Sequence, residues 1–230
     1  MTTERIAEPG SYTVVIPAWN AQSTIAEALA SVWGQTRPPV RVIVVDDGST
    51  DATVAAVRAA GLPVDILSQA NAGPGAATTA GIAAVSTPYL ATLDADDLWL
   101  PDKIERQFAF LGTCAGTALA FGHWQAFSGD PANRVAAPLP GWTRTTLFAL
   151  TDVVRSVGPV IDPPGFAGDM IDWLARAREA GHSLSMHPDV VALRRMRPGS
   201  LSDRNNPLRD KGYLDVARRA ILRRKRNEDL

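Results

Sequence analysis

Four short apolar runs, each ending in polar or glycine-rich residues, constrain this chain more than any other feature. Tyr12-Thr13-Val14-Val15-Ile16 closes on Pro17, and Val40 to Val45 ends at Asp46-Asp47-Gly48-Ser49-Thr50-Asp51. Val64-Asp65-Ile66-Leu67 leads into Asn71-Ala72-Gly73-Pro74-Gly75, and Tyr89 to Leu93 ends at Asp94-Ala95-Asp96-Asp97. Between the runs, apolar residues recur at helical spacing, as in Ile25, Ala28, Leu29, Val32 and Trp33. Continuous apolar strands alternating with helices predict a mostly parallel central sheet with helices on both faces, which binds ligands at the carboxyl ends of its strands. The expected fold is therefore α/β and Rossmann-like.

The acids fall at those strand ends. Like charges packed together cost free energy unless a cation or hydrogen-bond donors offset them, so Asp94, Asp96 and Asp97 suggest a divalent ion. Asp94 and Asp96 share one side of an extended backbone, and Ala95 between them is small enough to admit a ligand. A carboxylate after the second strand can accept the ring N–H of a nucleobase, with Pro17 and the first loop walling the base in. Asp47 is the candidate acceptor and Asp46 its alternative. Asn71 and Gly73 belong to a loop that lets backbone approach a ligand, but it matches neither a Walker loop nor a G-x-G-x-x-G fingerprint.

Composition bounds the remaining options. The 230 residues, 46% hydrophobic, suffice for one substantial core. No run is long enough to span a membrane and the polar start is no secretory signal, so a cytoplasmic soluble protein is expected. A single cysteine, Cys114, excludes an internal disulfide framework. Net charge is −1, yet residues 1–110 hold 6 basic against 12 acidic residues and the remainder 17 against 12. In the tail, Tyr213, Leu214, Ala217, Ile221 and Leu222 form an apolar stripe with Arg218, Arg219, Arg223, Arg224, Lys225 and Arg226 around it. Such a helix packs on the domain, or lies on anionic lipid at the inner membrane face, or binds another subunit. Nucleic-acid binding is not expected, because no aromatic stacking surface accompanies the basic residues.

Taken in order, Val15-Ile16-Pro17-Ala18-Trp19-Asn20, Val44 to Asp51, Asn71 to Ala76, and Leu93 to Asp97 with Trp99, Pro101 and Lys103 resemble the successive motifs of family 2 glycosyltransferases of the GT-A fold. The resemblance covers nearly all of residues 11–110. It implies a nucleotide-diphosphate sugar donor, with a UDP-sugar favoured, bound by Pro17, Trp19, Asn20, Asp46, Asp47, Asn71, Gly73, Asp94 and Ala95. It further implies Mn or Mg bridging Asp96 to the diphosphate, single displacement with inversion, and an unknown hydroxyl acceptor. In the family a base opens a late helix; here Asp169 and Asp172 are the candidates, because Met170 stands at the usual base position. Thr78 and Thr79 stand where Arg and Asn are common, and Arg197 stands where a metal-ligating His is often found. Arginine can instead hold phosphate, so Arg194, Arg195 and Arg197 are candidate anion contacts.

The expected division is a transferase domain over 11–204, with a nucleotide-binding half over 11–110 and an acceptor half over 111–204, followed by a basic helix over 205–230. In the second half, Leu119-Ala120-Phe121 reads as a strand ended by Gly122 to Gln125 with His123 near the site, 128–144 as a loop, Leu147 to Val157 as a helix, and Gly168 to Ala180 as another helix. A non-catalytic sugar-nucleotide binder and a nucleotidyltransferase are the alternatives. The latter would be expected to carry a basic Gly-rich loop after the first strand, and Pro17-Ala18-Trp19-Asn20 is not one.

Overall fold

The computed structural model describes residues 10–113, 116–166, 168–196 and 208–228. In chain order the elements are β1 (Tyr12–Ala18), α1 (Ile25–Trp33), β2 (Arg41–Asp46), α2 (Thr53–Ala59), β3 (Asp65–Ser68), α3 (Pro74–Ala83), β4 (Tyr89–Thr92), β5 (Leu98–Trp99) and α4 (Lys103–Thr113). Then follow β6 (Thr117–Ser128), β7 (Asp130–Arg134), β8 (Leu139–Gly141), β9 (Phe148–Leu150), α5 (Thr151–Val157), α6 (Asp169–Glu179), β10 (Ser183–Arg195) and α7 (Arg209–Glu228). Two short 3-10 turns, Arg144–Thr146 and Pro164–Phe166, precede β9 and α6.

One sheet runs through the molecule in the order β3-β2-β1-β4-β9-β6-β10-β5, with β7 and β8 also paired to β6. Strands β3, β2, β1 and β4 are mutually parallel, as the strand-helix alternation requires. Beyond β4 the sheet is mixed: β9 runs antiparallel to β4 and β6, while β6 and β10 form a long parallel ladder. Successive residues of β1 point to opposite faces, so Tyr12, Val14 and Ile16 join one core and Val15 the other. Helices α1, α2 and α4 cover the first face, α3, α5 and α6 the second.

Helix α1 buries Ile25, Ala28, Leu29 and Val32 at i, i+3, i+4 and i+7, and Gly34 ends it. Fully burying a leucine such as Leu29 contributes roughly 1.5–3 kcal/mol. On the other face, α3 comes very close to the sheet: a Cβ on Gly81 would lie 2.3 Å from Val15 Cγ1, so only glycine fits.

The second half departs from its sequence reading in three places. Strand β6 does not end at Gly122–Gln125 but continues to Ser128, because β10 pairs along it and Val191 packs where a Gly122 Cβ would stand. Residues 128–144 are not a bare loop, since β7 and β8 fold back onto β6. The run from Leu147 is strand before it is helix: Phe148–Leu150 fill the slot between β4 and β6, and the helix starts only at Thr151. Helix α7 is no free appendage, for it packs on α6 and on the Pro164–Phe166 turn. The expected boundary at 204/205 and the tail contacts of Arg197 lie outside the described residues, as does Cys114.

Candidate active site

A cleft of about 540 Å³ opens at the carboxyl ends of the strands. Pro17, Trp19, Asp47, Asn71, Gly73, Asp94, Ala95, Asp96 and Asp169 all line it. Nine of the sequence candidates, from five separate segments, therefore meet in one space.

Asp47 follows β2 and turns inward. Its Oδ1 accepts from Gln69 Nε2 (2.7 Å) and the Ala72 amide (2.9 Å), and its Oδ2 from the Gly73 amide (2.8 Å). Asn71 Nδ2 donates to the Asp47 carbonyl at 3.0 Å. The carboxylate thus holds the glycine loop closed over the strand end. A carboxylate has about four lone-pair sites, so one remains on Oδ2 for a ligand N–H. Gly48 and Gly73 have φ of 70° and 101°; a Cβ on the first would sit 2.8 Å from the Asn71 amide and one on the second 2.6 Å from Asp162 Oδ2. Asp162 accepts from the Gly75 and Ala76 amides at 2.9 and 3.0 Å, satisfying the exposed donors at the start of α3. Burial raises the Asp162 carboxyl above its usual range, with these amides acting in the opposite direction.

Neither Asn20 nor Asp46 lines the cleft. Asn20, at φ 48°, accepts from the Thr50 amide (2.9 Å), and its own amide donates to Ser49 Oγ (3.0 Å). Asp46 accepts from the Ser49 amide at 3.3 Å. Asn20 laces the first loop to the second and Asp46 braces the second loop on itself, so both side chains support the wall instead of lining the cleft. Thr79 likewise braces: its Oγ1 accepts from the Val160 amide at 3.0 Å and donates to the Gly75 carbonyl at 2.8 Å.

All three acids of the turn after β4 line the cleft, but they differ in burial and partners. Asp97 is the most buried, accepting from Thr145 Oγ1 (2.7 Å) and the Arg195 amide (3.0 Å). Burial first, then the charges of Asp96 and Asp94, push its carboxyl up to about 8. Asp94 and Asp96 face the cleft. Asp94 Oδ1 accepts from Arg144 Nε at 2.9 Å, and the Asp96 carbonyl from Arg195 Nε at 2.9 Å. Arg194 also lines the cleft, its guanidinium 5.3 Å from the Trp124 ring centre.

The two base candidates part company. Asp169 opens α6 on the cleft side, where Arg144 Nη1 donates to its Oδ2. Asp172 is absent from the cleft wall and 0% exposed, bonded to Arg176 Nε (3.0 Å) and to Arg223 Nη1 on α7 (2.7 Å). One turn further along the helix, its carboxylate is engaged by Arg176 and Arg223 and does not reach the cleft. Asp172 as the proton acceptor is therefore corrected: it fastens α6 to α7. His123 is also outside the cleft, its Nδ1 2.6 Å from the Pro188 carbonyl.

Sequence reasoning missed Arg144, Thr145, Asp162, Trp142 and Tyr213. Only Arg144 left a signal, as the one basic residue between Arg134 and Arg155. Its guanidinium is held by Asp169 and Asp94; burial opposes its charge, and these carboxylates outweigh burial, raising its proton affinity further. The turn that carries it is tightly anchored. Thr92 Oγ1 donates to the Arg144 carbonyl (2.6 Å), Trp99 Nε1 to Thr145 (2.8 Å), Gln107 Nε2 to Thr146 (2.8 Å) and Lys103 Nζ to Leu147 (3.4 Å). Four successive carbonyls are thus tied to β4, β5 and α4.

Fold and cleft together define an α/β protein with an acid-lined ligand site at the ends of parallel strands. The family model described as Glycosyl transferase family 2 matches residues 13–169, and the chain belongs to that family. Glycosyltransferase AglE of Haloferax volcanii is 30% identical over 210 residues, covering 80% of this chain and 67% of that protein. Succinoglycan biosynthesis protein ExoO of Rhizobium meliloti is 43% identical over 96 residues, 41% of this chain and 28% of that protein. S. aureus TarS 1-349 in complex with UDP-GlcNAc superposes with a TM-score of 0.70 at 20% identity, over 84% of this chain and 61% of that one. Mannosyltransferase PcManGT from Pyrobaculum calidifontis, in complex with GDP-Man and Mn2+, gives 0.66 at 18%, over 83% and 58%. These likenesses bear out the GT-A fold expected from the motifs. The chain spans under a third of ExoO and about three fifths of the two solved neighbours.

Proposed function

We propose that this chain transfers a sugar from a nucleotide-diphosphate sugar to a hydroxyl acceptor with inversion, assisted by a divalent cation. The observation that carries the reading is the meeting of Asp47, Asp94, Asp96 and Asp169 in one cleft. The remaining lone pair of Asp47 accepts the N–H of the base, with Pro17 and Trp19 as walls and Asn71 and Gly73 as the floor. Asp94 and Ala95 take the ribose side, and Asp96 is the cation ligand. A UDP-sugar is favoured; that TarS was solved with UDP-GlcNAc and PcManGT with GDP-Man and Mn2+ supports the donor class and leaves uridine and guanosine both to be tried.

Mn or Mg fits the residues present. Among the described residues no group of three or more His, Cys, Asp or Glu holds a cation unaided. Such ions commonly bind one or two carboxylates and complete their shell with substrate phosphate and water. When bound, the ion neutralises charge developing on the diphosphate. Asp169 takes the proton of the acceptor hydroxyl as its oxygen bonds to the anomeric carbon; the bond from that carbon to phosphate breaks and its electron pair stays with the diphosphate.

Melting curves with UDP and GDP, each with and without Mn or Mg, test the donor reading. Asp96→Ala should abolish the metal-dependent part of the nucleotide shift, and an unchanged shift sinks the assignment. Tight binding with no release of nucleoside diphosphate from the sugar nucleotide would favour the non-catalytic binder.

A second reading concerns α7. Leu214, Ile221 and Leu222 are exposed beside Arg218, Arg224, Lys225 and Arg226, a pattern suited to an anionic lipid surface. Among the described residues no helix is long and apolar enough to cross a membrane. Co-sedimentation with phosphatidylglycerol vesicles, but not phosphatidylcholine ones, is the expected result, and it should vanish when all three apolar residues become serine.

A further inference from the structure

Arg144 joins the two carboxylates on which the proposed chemistry depends. Its Nε donates to Asp94 at 2.9 Å and its Nη1 to Asp169. Both Arg144 and Asp169 are nearly closed to solvent, with side-chain exposures of 11% and 10%. An ion pair in such surroundings is screened little, and an Asp169 left alone there would be a buried uncompensated charge. The backbone under Arg144 is equally constrained, since Thr92, Trp99, Gln107 and Lys103 hold the carbonyls of residues 144–147.

We propose that Arg144 is a positioning residue for the transfer, holding the Asp169 carboxylate in the orientation that receives the acceptor proton and tying it to the donor side through Asp94. The inference rests on the nucleotide-sugar reading of the cleft and adds the residue that couples its two ends. A planar guanidinium suits this task because two N–H groups set at a fixed angle serve two carboxylates at once. A lysine ammonium is a single point. Charge balance argues the same way. When Asp169 takes the proton from the attacking hydroxyl, it becomes neutral. Arg144, Asp94 and Asp169 together then go from a net charge of −1 to zero, and Asp94 remains to balance the guanidinium, so the proton transfer strands no charge in the buried cluster.

The test uses the full chain, Mn, and UDP-GlcNAc and GDP-mannose as probes, with nucleoside diphosphate release to water as the readout. Arg144→Ala should lower kcat by roughly 10²–10³ while KM stays within about threefold, the pattern of an interaction used in the transition state. Added guanidinium at millimolar concentration should recover part of that rate in R144A and none in D169N. Combining R144A with D169N should be no slower than D169N alone, since the arginine acts through the carboxylate. A kcat within threefold of the parent, a rise in KM alone, or full additivity in the double variant overturns the proposal. Should R144A fail to fold, Arg144→Lys carries the test: it keeps the charge, and it should retain the melting temperature while losing most of kcat. A kcat for R144K equal to the parent overturns the proposal as well. If the unaltered protein neither binds nor cleaves either probe, the nucleotide-sugar reading itself falls, and this inference with it.

Discussion

At the scale of single residues, the contrast between Asp169 and Asp172 shows what spacing can and cannot carry. Both stand in the first turn of α6 and look alike in the sequence. Their roles are divided by partners that come from far away, Arg144 for one and Arg223 for the other. Asp172→Ala should therefore leave nucleotide-induced melting shifts unchanged yet destabilise the protein by roughly 3–5 kcal/mol in urea unfolding, the cost of stripping a buried ion cluster of its anion. A loss of nucleotide affinity without destabilisation would reverse that assignment. Asp47, Asp94 and Asp96 were legible because like charges gathered at the carboxyl ends of apolar strands need donors or a cation to offset them. Asn20 and Asp46 were over-read, since a motif names residue types and their hydrogen bonds spend Asn20 and Asp46 on the loop itself. Arg144 left only the weak signal of a lone basic residue, because the carboxylates its side chain joins lie 50 and 25 residues away in the chain.

Among the elements, the first four strands and their helices were read correctly because each unit is local: a β-branched run, a polar turn, a helical stripe. Of the later ones, α6 and α7 were read, but most of the strands around them were not. Phe148–Leu150 is too short to show a period, and its strand state comes from β4 and β6 on either side. The same non-local logic holds the turn before it. Gln107→Leu removes the donor to the Thr146 and Ala120 carbonyls and should cost about 1–3 kcal/mol, with slower donor cleavage as Arg144 loosens. Lys103 adds a pH signature. It is fully buried in α4, and burial holds its ammonium well below the usual lysine range. The unfolded chain then binds the proton at pH values where the folded one does not, so stability rises with pH from the depressed folded value up to the ordinary one near 10.4. Between pH 7 and 10 the parent should gain stability relative to Lys103→Met. A constant difference across that range would mean that the folded lysine keeps its charge.

For the molecule as a whole, the lopsided charge seen in the sequence becomes a division of labour. The acidic half builds the strand ends of the cleft, and the second half supplies its cations, Arg144 and Arg194, together with the Asp169 side of the wall. The tail, a basic helix for which packing on the domain was one expectation, closes this arrangement, because Tyr213 lines the cleft and Arg223 pairs with both Asp172 and Glu179. Deleting residues 208–230 should therefore lower the melting temperature by several degrees and expose Asp172, as about 2–4 °C accompanies each kcal/mol in a chain of this size. An unchanged melt would show the helix to be an independent appendage.

The four anchored carbonyls bear on where such a fold can take insertions. Residues 144–147 are bolted to the donor half from beneath, and Thr146 Oγ1 also donates to the Gly141 carbonyl, so β8 and the arginine that follows it form one unit. Strand β7 pairs with β6 and not with this turn, so an insertion between Asp130 and Arg134 should leave the arginine in place.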